Sequence, residues 1–153
     1  MSVPKEKLEE LQRLQAEYER LRALQTTLTL EVERLAKFKT DTELAIKELE
    51  ELGEGREALV PLGPVLVKSK LEPSVLYPLG ANIYLKTDPK DAKKRLDEKK
   101  KEVEEELKLL QAELAKVGKA MSSIEAKVAE IYRELSLARA SQAGAEGTGK
   151  RGS

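Results

Sequence analysis

Residues 53–88 decide the fold, and they read GEGREALVPLGPVLVKSKLEPSVLYPLGANIYLKTD. Five of the six prolines of the chain lie in this stretch or directly after it. The apolar residues form short β-branched or aromatic runs bounded by glycine and proline, a pattern that predicts strand, turn and strand. We therefore expect two β-hairpins in succession, separated by Glu72, Pro73 and Ser74. Pro78 has no backbone N–H, so its strand should be an edge or contain a bulge.

Residues 1–52, before this stretch, predict one long helix. Pro4 suits the first helical turn, where a missing N–H is tolerated, and Gly53 and Gly55 supply the stop. Apolar residues recur at alternating intervals of three and four, the spacing with which two helices pack side by side. The a positions are Leu11, Tyr18, Gln25, Val32, Lys39 and Ile46, and the d positions are Leu14, Leu21, Leu28, Leu35, Thr42 and Leu49.

Residues 89–140, after it, predict a second long helix. Asp88 is a good N-cap, Pro89 is a favoured first residue, and Asp91 places a negative charge in the first turn. The remaining residues, 141–153, contain no large apolar side chain and are expected to form a disordered tail. The helix repeats the seven-residue pattern, with a positions Lys100, Leu107, Leu114, Met121, Val128 and Leu135, and d positions Leu96, Val103, Leu110, Val117, Ile124, Ile131 and Ala138.

Two helices of similar length joined by hairpins predict an antiparallel coiled coil, in an α+β fold that is mainly α. If Leu52 and Pro89 lie at one end, Leu11 lies near Glu130 or Ile131 at the other, and both termini form one tip. The same alignment places Lys39 and Thr42 opposite the stretch 99–102. Polar a and d residues weaken a coiled coil, so we expect a flexible neck at this level.

The two hairpins predict an obligate oligomer. A hairpin is marginally stable on its own in water, and two hairpins still leave strand edges unpaired. Strands from other chains would pair with those edges. The candidate oligomerisation residues are Leu59, Val60, Leu62, Val65, Val67, Val75, Tyr77, Ile83 and Leu85.

Composition excludes several classes of function. Charged residues are 37% of the chain and aromatic residues 3%, which is typical of long helices. The 28 basic and 28 acidic residues balance, which argues against nucleic acid as a partner. Without cysteine or histidine, thiol and histidine catalysis are excluded. No apolar run or signal-peptide pattern indicates a membrane or secretion, so we expect a cytoplasmic protein that needs no cofactor or metal and is not an enzyme.

Two sequence patterns could suggest chemistry. The acidic run 104–106 lies on a helix exterior and is interpreted as a solvated face. Residues 144–150 resemble a phosphate-binding loop in spacing, but Arg151 follows in place of serine or threonine, and neither a preceding strand nor a following helix is present. The sequence therefore excludes a nucleotide site.

Apolar residues at the tip allow two interpretations. Leu8 and Leu137 lie off the a and d positions, so some apolar surface should face outward. They are either isolated surface leucines, which are common, or part of a surface that binds apolar segments of a partner. The candidate residues for such a binding surface are Leu8, Leu11, Leu14, Ile131, Leu135 and Leu137, with Tyr132 beside them.

Together these features resemble the alpha class of the prefoldin family. The resemblance rests on VPLG at 60–63, on the order helix, hairpin, hairpin, helix, and on the Asp88–Pro89 entry to the second helix, and it covers about residues 5–140. It implies an ATP-independent chaperone, a hexamer of two alpha and four beta subunits joined through their hairpins in β-barrels. Coiled-coil tips would hold unfolded clients and deliver them to a group II chaperonin. The alternative is a structural filament or scaffold protein of the same layout.

Overall fold

The computed structural model of the chain describes residues 4–51 and 56–149. The chain packs as two units. The first unit combines the residues up to Glu31 with those from Leu110 onward, and the second unit is Val32–Leu109. The mainly helical α+β class with two hairpins is confirmed. The elements in chain order are helix α1 (Lys5–Glu51), strands β1 (Glu57–Leu62), β2 (Val65–Lys70), β3 (Val75–Gly80) and β4 (Ile83–Thr87), and helix α2 (Pro89–Gly149).

In the first unit, α1 and α2 run antiparallel and bury an apolar seam. Lys7 Nζ lies 2.6 Å from Glu134 Oε2, and the Tyr18 hydroxyl donates to Glu125 Oε1 at 2.8 Å. Later residues of α1 therefore lie beside earlier residues of α2. The buried residues of this seam all occupy predicted a or d positions: Leu11, Leu14, Leu21, Leu28, Val117, Met121, Ile124 and Ile131.

In the second unit, the helices are also antiparallel, and ion pairs mark their alignment. Lys39 lies opposite Glu104, beyond the stretch 99–102 that the sequence predicted. The prediction placed the helix ends level at Leu52 and Pro89, whereas Glu50 pairs with Lys93, so residues of α1 meet residues of α2 about two positions later than predicted. The pairs are Glu50–Lys93 at 2.6 Å, Glu43–Lys100 at 3.4 Å and Lys39–Glu104 at 3.6 Å.

The strands form two separate two-stranded antiparallel sheets. In the first hairpin, Leu62 is paired with Val65 on either side of a turn in which Gly63 has a φ of 59°. The second hairpin turns through Ala81 and Asn82, whose φ values of 48° and 60° are left-handed; asparagine tolerates this region better than most residues. Its register shifts between Pro78 and Gly80, which confirms the predicted bulge at a residue with no N–H to donate.

The ends of the helices agree only partly with the prediction. The Asp91 N–H donates to Asp88 Oδ1 at 2.7 Å and Pro89 is the first residue of α2, so the predicted N-cap is confirmed. The predicted stop at Gly53 and Gly55 lies outside the described residues.

The far end of α2 differs from the prediction. We expected the helix to end near Ala140 and residues 141–153 to be disordered, but α2 continues to Gly149. No proline follows Pro89 to remove a backbone donor, and the alanines among residues 140–145 favour a helix. Residues 150–153 lie outside the described part of the chain.

Candidate functional site

Toward its turn, the first hairpin presents an apolar face. Because side chains alternate between the two faces of a ladder, the pairs Val60–Val67 and Leu62–Val65 share one face. These four side chains are 36–59% exposed. A two-stranded sheet has no second layer with which to cover them, so they are available to another chain.

The opposite face of the first hairpin is mixed. Leu59 is paired with Lys68, and Pro61 with Leu66. Leu59 and Leu66 are 59% and 65% exposed, but the lysine keeps the part of this face away from the turn polar. The two faces of one hairpin therefore differ in chemistry, which gives a partner a preferred side on which to pack.

One face of the second hairpin is half-buried in its own chain. Val75 is paired with Thr87, and Tyr77 with Leu85, so all four residues share this face, and all four are half-buried. The Arg95 guanidinium lies 5.9 Å from the centre of the Tyr77 ring, within the range of a cation–π contact. Three of the predicted oligomerisation residues, Val75, Tyr77 and Leu85, are therefore less accessible than the prediction required.

Asp91 joins this hairpin to the start of α2. Its Oδ2 accepts hydrogen bonds from the Thr87 hydroxyl at 2.6 Å and from Arg95 Nε at 2.8 Å. The hydrogen bond from Thr87, followed by that from Arg95, lowers the pKa of the Asp91 carboxyl below its ordinary value. The second hairpin is thus held by its own helix through charge-assisted contacts.

The second hairpin also has exposed apolar residues, most of which sequence reasoning missed. Leu76, Leu79, Ile83 and Tyr84 are 57–64% exposed, and only Ile83 was among the predicted residues. Leu66 of the first hairpin was missed as well. The sequence did contain a signal that both faces of this strand are covered. Val75, Leu76 and Tyr77 are consecutive apolar residues, and such runs are typical of strands covered on both faces.

The predicted client-binding residues separate into two groups. Leu11, Leu14 and Ile131 are buried in the seam of the first unit, at 8%, 7% and 4% exposure, and Leu135 is half-buried against it. This burial follows from their own a and d positions, so they are not accessible as predicted. The exposed residues are Leu8 at 48%, Leu137 at 61% and the neighbouring Tyr132 at 52%.

A shallow groove lies beside this seam. It has a volume of about 390 Å³ and combines an apolar floor with a charged rim. The hydrogen bond of the Tyr18 hydroxyl to the Glu125 carboxylate raises the pKa of Tyr18 and fixes the tyrosine ring in the groove wall. The lining residues are Leu14, Gln15, Tyr18, Glu19, Arg22, Ile124, Glu125 and Val128.

Other kinds of site lack support in the described ranges. Within residues 4–51 and 56–149, no group of three acidic side chains is arranged to hold a metal ion. Over the same ranges, no helix has the length and apolar character needed to cross a membrane. Residues 144–149, which resembled a phosphate-binding loop, belong to α2 and so do not form a loop.

Comparison with known proteins gives a family. The sequence matches the family described as prefoldin subunit over residues 8–134, a range that includes both hairpins and most of both helices. Among solved structures, a cryo-EM structure of filamentous PFD from Methanocaldococcus jannaschii is 27% identical, with a TM-score of 0.41, over 82% of this chain and 98% of that one. No curated protein matches the sequence.

Proposed function

The chain belongs to the prefoldin family, whose members are chaperones, and on this premise we propose that it is an alpha-class prefoldin subunit. It assembles through its hairpins with beta subunits, which have a single hairpin each, into a hexamer of two alpha and four beta subunits. The cytoplasmic complex holds unfolded polypeptides and delivers them to a group II chaperonin, without nucleotide or another cofactor.

The observation that carries this proposal is the exposed apolar surface of the two hairpins. Full burial of a valine or leucine side chain contributes about 1.5–3 kcal/mol, and soluble monomers rarely leave large contiguous apolar patches in water. Each two-stranded sheet also has free edges that can accept a further strand. The exposed residues are Leu59, Val60, Leu62, Val65, Leu66, Val67, Leu76, Leu79, Ile83 and Tyr84.

Client holding is supported by the exposed residues of the first unit. Leu8, Tyr132 and Leu137 are accessible, and each would contribute only about 1.5–3 kcal/mol on burial against a client. One subunit therefore binds an unfolded chain weakly, and several subunits of one complex bind it more strongly through effective concentration. In this proposal Leu11, Leu14 and Ile131 hold the helices together and do not contact the client.

Light scattering tests the chaperone activity. A denatured client is diluted into buffer without nucleotide, in the presence of this chain, of a single-hairpin prefoldin subunit, or of both. We expect only the complex to suppress aggregation strongly.

Exposed leucines provide the matched variants for the client site. The Leu8→Ser/Leu137→Ser complex should assemble normally, because both residues lie outside the hairpins, but should protect the client less. Leu30→Ser removes a leucine that is 60% exposed elsewhere on α1 and should leave protection unchanged. Full protection by the double variant would exclude Leu8 and Leu137 as the client site.

The competing function is structural, with this chain polymerising alone through the same hairpins. Concentration-dependent mass and negative-stain images separate the two functions. A chaperone subunit forms a closed complex of fixed mass only with its partner, whereas a filament protein forms open strings without one.

A further inference from the structure

Four charged residues of the second unit form a closed ring of ion pairs across α1 and α2. Lys39 Nζ lies 4.0 Å from Glu43 Oε1 on its own helix and 3.6 Å from Glu104 Oε1 on the other. Lys100 Nζ lies 4.0 Å from Glu104 Oε1 on its own helix and 3.4 Å from Glu43 Oε1 on the other. Each lysine thus contacts both glutamates. We call these four residues the clasp.

The clasp occupies a level of the seam where apolar side chains would ordinarily pack. Lys39 and Lys100 are both at a positions, and their side chains are 35% and 31% exposed. Leu35, one turn before Lys39, and Val103, directly before Glu104, are apolar residues buried at 4% each. At the two a positions of the clasp, ion pairs therefore take the place of apolar packing.

Thr42, the other polar seam residue at this level, adds no polar tie across the helices in the structure. It is 4% exposed, and its hydroxyl donates to the Phe38 carbonyl oxygen at 2.7 Å, within its own helix. Its polar group is satisfied locally, which is the usual arrangement for a buried hydroxyl. At the level of Lys39 and Lys100, the polar contacts between the helices are those of the clasp.

Half-exposed ion pairs respond to salt in a way that apolar packing does not. Single exposed pairs contribute little, but pairs that share partners in a network contribute more. The screening length falls from about 10 Å at 0.1 M salt to about 3 Å at 1 M, which is shorter than the clasp distances. Apolar burial is not weakened by such screening.

We propose that the clasp is a salt-sensitive latch in the coiled coil. At low ionic strength it holds α1 and α2 together at the level of Lys39 and Lys100. At high ionic strength this level opens, while the apolar seam of the first unit stays closed. The flexible neck expected from the polar sequence is then conditional on salt, and this inference does not depend on the proposed function.

Hydrogen–deuterium exchange of the full chain, resolved into peptides, tests the latch. Peptides covering 36–46 and 97–107 are compared with the apolar seam at 114–131 in low salt and in about 1 M sodium chloride, where charge pairs are screened. We expect exchange in the two clasp peptides to become roughly three- to tenfold faster in high salt, as the loss of several weak pairs predicts. Exchange in 114–131 should not accelerate.

Two variants separate the clasp from general effects of salt. Lys39→Met/Lys100→Met keeps the aliphatic stems, fills both a positions with apolar atoms, and should make exchange in the clasp peptides slow and independent of salt. Lys7→Met removes the ion pair with Glu134 in the first unit and should leave the salt response of the clasp peptides intact. The latch is excluded if 36–46 and 114–131 respond equally to salt in the unaltered chain, or if the double variant keeps the full response.

Discussion

Replacing Val65 and Val67 by aspartate is expected to prevent assembly and leave the helices folded. Both valines lie on the apolar face of the first hairpin. Their exposures of 56% and 38% together equal about one fully exposed valine, whose burial contributes about 1.5–3 kcal/mol. Losing this contribution weakens association by roughly ten- to a hundredfold. The true effect should be larger, because each buried carboxylate adds a desolvation cost of several kcal/mol.

Solution mass and circular dichroism measure the two halves of this prediction. The double variant, mixed with a single-hairpin prefoldin subunit at micromolar concentration, should remain unassembled, and its helical signal should persist because the seams of α1 and α2 are unchanged. Lys68→Asp is the matched control. It changes the net charge by the same two units at the residue directly after Val67, but on the mixed face, opposite Leu59. A full-size complex from the valine variant, or equal loss in the control, would refute the reasoning.

Three further predictions follow from the helices and their junction. Deleting residues 1–10 together with 132–153 should not prevent assembly, so the complex should lose only the mass of the deleted residues. Its protection of a client from aggregation should fall strongly, and unchanged protection would place the client site elsewhere. Leu21→Ala, at a site 7% exposed, should lower the free energy of unfolding in urea by about 2–5 kcal/mol, whereas Leu30→Ala, at 60% exposure, should change it by less than about 0.5 kcal/mol. Asp91→Asn should lower the melting temperature at neutral pH but not in strong acid. Because the folded pKa of Asp91 is lowered, its contribution is present above the ordinary aspartate pKa and is lost as the pH falls through the lowered value; a difference that persisted in acid would contradict this role.

The sequence predicted the elements of the fold because each depends on local chemistry. Asp88 and Pro89 specify the start of α2 with groups that lie within one helical turn. Leu21 and its equivalents specify the seam through spacing alone. Pro78 predicted an edge or a bulge because it has no N–H to donate to a neighbouring strand, and the register shifts beside it.

The parts that the sequence did not predict depend on contacts between distant residues. Leu11 and Leu14 were predicted both at seam positions and in a client-binding surface, and their packing against the other helix decides for the seam. The accessible face of the second hairpin, with Leu76 and Tyr84, follows from the contacts of Arg95 and Asp91 on the opposite face. Lys39 was predicted only to weaken the seam. Its pairing with Glu104 was not predicted, because that pairing depends on the alignment of the two helices.

The native mass of an equilibrated mixture of this chain and a single-hairpin prefoldin subunit tests the central claim most directly, since that claim is assembly through the hairpins into a closed chaperone. We predict one dominant species that contains two copies of this chain and four of its partner, at a mass that does not change with concentration. A chain that stays monomeric in the mixture, or a ladder of masses that grows with concentration in the absence of the partner, would contradict it.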